Sequence, residues 1–202
     1  MSGASLRQTE WHRHINAVNP PPALRHLLVG GGSLTAKLRA HSASFRVQCL
    51  RQETARCLPD EAAAIGLQRP GRVWEREVLL RCDNRPAVFG HTVVPLSATA
   101  TDWPLFSALG ERSLGSTLFG DRQVRRGALE YARLRPGHPL ARRVLAALGE
   151  CGHEDRILYA RRCLYRRHRG LLLVTEVFLP TVLELAPFVT TAVTTKTLIN
   201  RL

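Results

Sequence analysis

Arg72-Val-Trp-Glu-Arg-Glu-Val-Leu-Leu-Arg-Cys-Asp-Asn-Arg-Pro-Ala-Val-Phe-Gly-His-Thr-Val-Val-Pro95 reads as two strands joined by a turn. Asp83, Asn84 and Pro86 are turn formers, and both flanks are rich in Val and aromatic residues. Alternate residues of a strand share a face. Trp74, Arg76, Val78, Leu80 and Cys82 therefore point one way, and Val73, Glu75, Glu77, Leu79 and Arg81 the other. The second set carries most of the charge and is predicted to face water. The first is apolar except for Arg76. A guanidinium on a dry face keeps its proton and needs an anion, either a protein carboxylate or a ligand.

A second lone charge stands on Leu171–Leu179. Leu172, Val174, Glu176 and Phe178 share one face there, and the other face is apolar too except for Thr175. This predicts a central strand, covered on both sides, with Glu176 as its single charge. Two readings follow. Arg76 and Glu176 form a buried ion pair, or they hold the two ends of a ligand in a pocket on the sheet. The pattern leaves both open.

Around these strands the chain predicts an α+β domain with an antiparallel sheet. Pro22–Leu28 is a short helix, ended by the run Gly30-Gly31-Gly32. Ser33 caps a further helix that begins at Leu34, and Ser113-Leu114-Gly115 repeats that signature. Such starts present N–H groups that suit a carboxylate or phosphate, although each alone reads as an ordinary cap. Strands are predicted over Phe45–Arg51, Arg126–Arg133 and Arg156–Arg167, and short helices over Glu61–Ile65 and Trp103–Leu109. His138-Pro139 opens an amphipathic helix that Gly149 stops. Residues 1–20 read as a loose N-terminal segment whose Trp11 docks on the body, 21–180 as the domain, and 181–202 as a C-terminal extension.

Composition narrows the function classes. The 202 residues carry a net charge of +13, and 27 of the 29 basic residues are Arg. That skew fits the codon usage of a GC-rich genome, and the arginines scatter without a nucleic-acid-binding motif. Five widely spaced cysteines without Cys-x-x-Cys read as free thiols. Cys151 and His153 lack partners for a zinc site. No nucleotide, flavin or metal motif is present. Met1–Glu10 has no apolar signal core, and no apolar run is long enough to span a membrane. A cytoplasmic protein is expected.

Four blocks in register resemble the chorismate pyruvate-lyase family: Trp74–Leu80, Gly90–Pro95, Leu109-Gly110 through Ser113-Leu114-Gly115 to Leu118-Phe119, and Leu171–Pro180. The resemblance runs from Leu24 to Pro180 and is loose between Gly120 and Arg169. It implies a six-stranded antiparallel sheet, helical flaps over a closed pocket, and a carbon–oxygen lyase without cofactor. The expected reaction converts chorismate to 4-hydroxybenzoate and pyruvate in ubiquinone biosynthesis. Carried over by position, Arg76 grips the benzoate carboxylate with the backbone N–H groups of Leu34 and Leu114. Glu176 faces the ring hydroxyl, and Arg76 and Glu176 are the expected catalytic pair. Leu34 stands where the family often has Met, and His91 where Arg is more frequent; a structural role is expected for His91. The expected partners are chorismate and its products, for a monomer without nucleic acid or membrane insertion. The alternative is a non-catalytic domain binding small anions, as in the effector domains of one regulator family that resembles chorismate lyase in fold.

Overall fold

In the computed structural model, which describes residues 9–149 and 156–185, the opening stretch folds as a hairpin. Its strands are β2 (Arg72–Cys82) and β3 (Arg85–Pro95). Asp83 and Asn84 take φ of 51° and 62°, as a two-residue turn between twisted strands requires. With β1 (Phe45–Arg56), β4 (Val124–Leu134), β5 (Leu158–Arg167) and β6 (Gly170–Phe178) they form one antiparallel sheet in the order β1-β2-β3-β6-β5-β4. The predicted α+β class is observed, and β6 is central as expected.

Helices cover both faces. One carries α1 (Pro22–Val29), α2 (Leu34–Ala40) and α5 (Leu114–Gly120). There Leu27, Leu28 and Leu38 pack with Val78 and Leu80. The other carries α3 (Pro59–Ala64) and α6 (Pro139–Leu148), where Leu140 and Val144 meet Leu79 and Phe89. His138 Nδ1 accepts from the Leu140 N–H at 3.2 Å, and Gly149 ends α6 at φ 67°.

Several expectations need correction. β1 runs to Arg56, well past the predicted Arg51. It is an edge strand, mostly half-exposed, so its sequence lacks a dry face to announce it. Trp103–Leu109 is a 3-10 turn at Phe106–Ala108, preceded by α4 (Leu96–Thr99). The face predicted to be wet is dry: Glu75 is 0 % and Glu77 6 % exposed. Trp11 docks as expected, donating to Asp60 Oδ2 at 2.7 Å beneath the Arg162 guanidinium. Pro180–Glu184 forms a 3-10 turn; Cys151, His153 and the rest of the C-terminal extension lie outside the described residues.

Candidate active site

Strand register gathers the pocket. Across one row stand Arg76, Thr92, Val174 and Cys163 on β2, β3, β6 and β5. The next row holds Val78, Gly90, Glu176 and Arg161. Tyr165 and Arg126 pair beyond Cys163, on β5 and β4. These residues line one cavity with the starts of α2 and α5 over it. Gly90 keeps it open above the sheet, since a Cβ there would lie 3.0 Å from Val78 Cγ2.

Arg76 is 2 % exposed. Its Nη2 donates to the carbonyls of Gly110 at 2.7 Å and Arg112 at 2.8 Å, which aim the guanidinium from the loop before α5. Nε is buried without a partner. No carboxylate among the described residues pairs with this side chain. Burial pushes the Arg76 pKa down, yet a guanidinium stays charged at neutral pH. A buried cation with carbonyl partners alone has the chemistry to take an anion.

Glu176 does not pair with Arg76. Its Oε2 accepts from Arg161 Nε at 2.5 Å. Arg161 Nη1 donates in addition to the carbonyls of Leu27 (3.0 Å), Leu28 (3.2 Å) and Gly30 (3.0 Å). Sequence reading missed Arg161, although its signal was that of Arg76: a lone guanidinium between Tyr159 and Cys163 on an apolar strand face. The two charges thus stand in one pocket with separate partners, and of the two readings left open the ion pair between them does not form.

The predicted helix starts come together. Ser33 Oγ accepts from the Ala36 N–H at 3.3 Å. Ser113 Oγ donates to Thr35 Oγ1 at 3.0 Å, which ties the start of α5 to that of α2. Leu34 and Leu114 both line the pocket.

Behind the sheet, His91 of β3 is 1 % exposed and faces three carboxylates. Its Nε2 lies 2.8 Å from Glu61 Oε1 and its Nδ1 3.3 Å from Glu77 Oε1. Burial alone would push the imidazole down; Glu61, Glu77 and Glu75 override it and lift His91 to about 10. Burial raises Glu77, but His91 and Arg143 outweigh it and hold its carboxyl down at about 2. Arg143 Nη1 bridges Glu75 at 2.8 Å and Glu77 at 2.7 Å. Glu75, Glu77 and His91 have metal-ligand spacing, but His91, Arg143 and, at its edge, Arg51 already supply the cluster with cations. The structural role expected for His91 takes this form, with the sheet between it and the cavity.

Comparison with known proteins agrees with this geometry. The family described as chorismate lyase matches residues 5–186. A protein of Ralstonia nicotianae named "Probable chorismate pyruvate-lyase" is 49 % identical over 189 residues, covering 89 % of this chain and 94 % of that protein. One of Cupriavidus metallidurans with the same name is 47 % identical over 180 residues, covering 87 % and 82 %. Among solved structures, a GntR-family transcriptional regulator from Bacillus cereus superposes with a TM-score of 0.52 at 13 % identity, covering 76 % of this chain and all of that one. That likeness is one of fold.

Proposed function

Since the chain belongs to the chorismate lyase family, we propose that it cleaves chorismate to 4-hydroxybenzoate and pyruvate in the pocket beneath α2 and α5, supplying ubiquinone biosynthesis. The observation that carries this reading is Arg76, a buried guanidinium without a carboxylate partner, set opposite the Glu176–Arg161 pair. In this assignment Arg76 and the N–H groups of Leu34 and Leu114 hold the ring carboxylate. Glu176 accepts from the ring hydroxyl, kept in place by Arg161.

Chemistry demands little more of the protein. The bond from ring carbon 3 to the enolpyruvyl oxygen breaks, and the hydrogen on carbon 4 leaves. A base can take that hydrogen, or it can pass directly to the enolpyruvyl methylene and yield pyruvate in one step. Both routes end in an aromatic ring, which supplies the driving force. The pocket then has to orient the enolpyruvyl arm and exclude water, and Val78, Leu80 and Val174 provide apolar walls for this.

The same reading takes residues 21–180 as the catalytic unit of a cytoplasmic monomer without a nucleic-acid partner. It is supported by arginines engaged within the fold: Arg162 with Asp60 and Glu130, and Arg167 with Asp121. No helix among the described residues is long and apolar enough to cross a membrane. The test is to mix purified protein with chorismate and follow both products by chromatography. Equal amounts of 4-hydroxybenzoate and pyruvate, above spontaneous decay, are expected. Binding of 4-hydroxybenzoate without turnover would instead indicate an effector domain.

A further inference from the structure

Charge balance leaves one guanidinium in the pocket without a task. Arg76, Arg126 and Arg161 line it against a single carboxylate, Glu176. Arg161 is charge-balanced by Glu176 at Nε, and its Nη1 is held by three carbonyls. Arg76 takes one ligand carboxylate in the proposed reading. Arg126, on β4, has a buried Nε without a hydrogen-bond partner among the described residues. Its neighbours Tyr165 and Cys163 are no counter-ions, because burial pushes the phenol and the thiol up and keeps both neutral. Close by, burial and then the charges of Arg161 and Arg126 push the Lys37 ammonium down. This corner is therefore short of negative charge.

We propose that Arg126 receives the second carboxylate of the substrate, the one on the enolpyruvyl arm, so that Arg76 and Arg126 together read a dianion. This rests on the lyase reading. Placement agrees with it. Arg76 stands on β2 and Arg126 on β4, with three strands between them, and both line the pocket. The Glu176–Arg161 pair lies between them by strand, on β6 and β5. A ring held at Arg76 and Glu176 directs the substituent next to its hydroxyl toward β5 and β4. Once the carbon–oxygen bond breaks, that carboxylate leaves with pyruvate. Arg126 thus holds substrate and departing pyruvate but makes no ionic contact with 4-hydroxybenzoate.

The asymmetry supplies the test. Kinetics with chorismate are compared in the parent, Arg126→Gln and Arg126→Lys proteins, alongside equilibrium binding of 4-hydroxybenzoate and of 3-(1-carboxyvinyloxy)benzoate, an unreactive aromatic dicarboxylate. Arg126→Gln should lower kcat/KM on the order of 100-fold, mainly through KM, as for a lost charge-assisted contact. Affinity for the dicarboxylate should fall in parallel, while that for 4-hydroxybenzoate stays within about 2-fold. Arg126→Lys should recover part of the loss, since it keeps the charge without the fork. It also carries the comparison if the Gln variant melts early. An unchanged KM, or equal losses for the mono- and the dicarboxylate, would overturn the proposal. If the parent protein turns over no chorismate, the lyase reading fails, and the two binding constants still decide the role of Arg126.

Discussion

Arg161 Nε lies 2.5 Å from Glu176 Oε2, on adjacent strands in direct register. The same guanidinium gathers the last carbonyls of α1 and that of Gly30. One side chain therefore fixes a pocket carboxylate and the approach to the glycine loop before α2.

Removing Arg161 should be felt in stability as well as turnover. Arg161→Gln leaves Glu176 and three carbonyls without their donor and should cost about 3 kcal/mol. Urea unfolding measures this. Adding Glu176→Gln should return part of the loss, because the stranded charge is gone. An Arg161→Gln protein as stable as the parent would refute the pairing.

Arg76→Ala should fold and lose nearly all activity. The guanidinium makes no ion pair in the fold, so its removal strands no carboxylate. Loss of transition-state stabilisation should reach about 3 kcal/mol or more, roughly 100-fold in kcat/KM. Circular dichroism and the chromatographic assay report the two properties separately. Turnover near the parental value would remove Arg76 from the site.

The cluster behind the sheet predicts a pH dependence of stability. His91 rises from 6.5 to about 10 on folding, so its contribution is complete below pH 6.5 and is lost as pH climbs through 10. Glu77 falls from 4.5 to about 2, so its contribution is present above pH 4.5 and is lost as pH drops toward 2. Between pH 7 and 10 stability should decline by up to about 1.4 kcal/mol per unit. Melting temperatures across that range test this, and His91→Gln should flatten the slope. A flat parental profile would contradict it.

Gly115→Ala probes the seam between the two helix starts. The added Cβ would lie 3.0 Å from Ser33 Oγ, so the cap of α2 must give way by a few tenths of an ångström. Roughly 10-fold weaker binding of 4-hydroxybenzoate is expected with the melting temperature little changed, as when oriented donors are displaced. Calorimetric titration measures the affinity. Unaltered binding would mean that the seam does not touch the ligand.

The hairpin, the central strand, the two helix starts and the lone charges were legible because each obeys a local rule, although only Ser33 caps its helix through its side chain. Asp83-Asn84 wants a turn, and alternation puts Arg76 and Glu176 on apolar faces. What joins them was not local. Glu75 and Glu77 alternate with apolar residues as solvated residues would, yet Glu61, His91 and Arg143, from α3, β3 and α6, close over them. A period of two reports that residues share a face and says nothing of what covers it. Arg161 was readable by the reasoning applied to Arg76, but in an Arg-dense strand its isolation on one face was masked by neighbours on the other.

The sheet order leaves β1 and β4 with a strand on one side only. β1 is bulged between Cys49 and Arg51 and presents Arg46, Arg51 and Arg56 to solvent. β4 exposes Arg125 and Arg133, and His12 bridges Tyr131 on its outer side. Open edges are templates for strand addition between molecules. Here a second copy approaching either edge would set arginine against arginine and meet a kinked or occupied ladder. The surplus of positive charge on these edges thus acts between copies of the chain, as protection against aggregation through the rims of its own sheet.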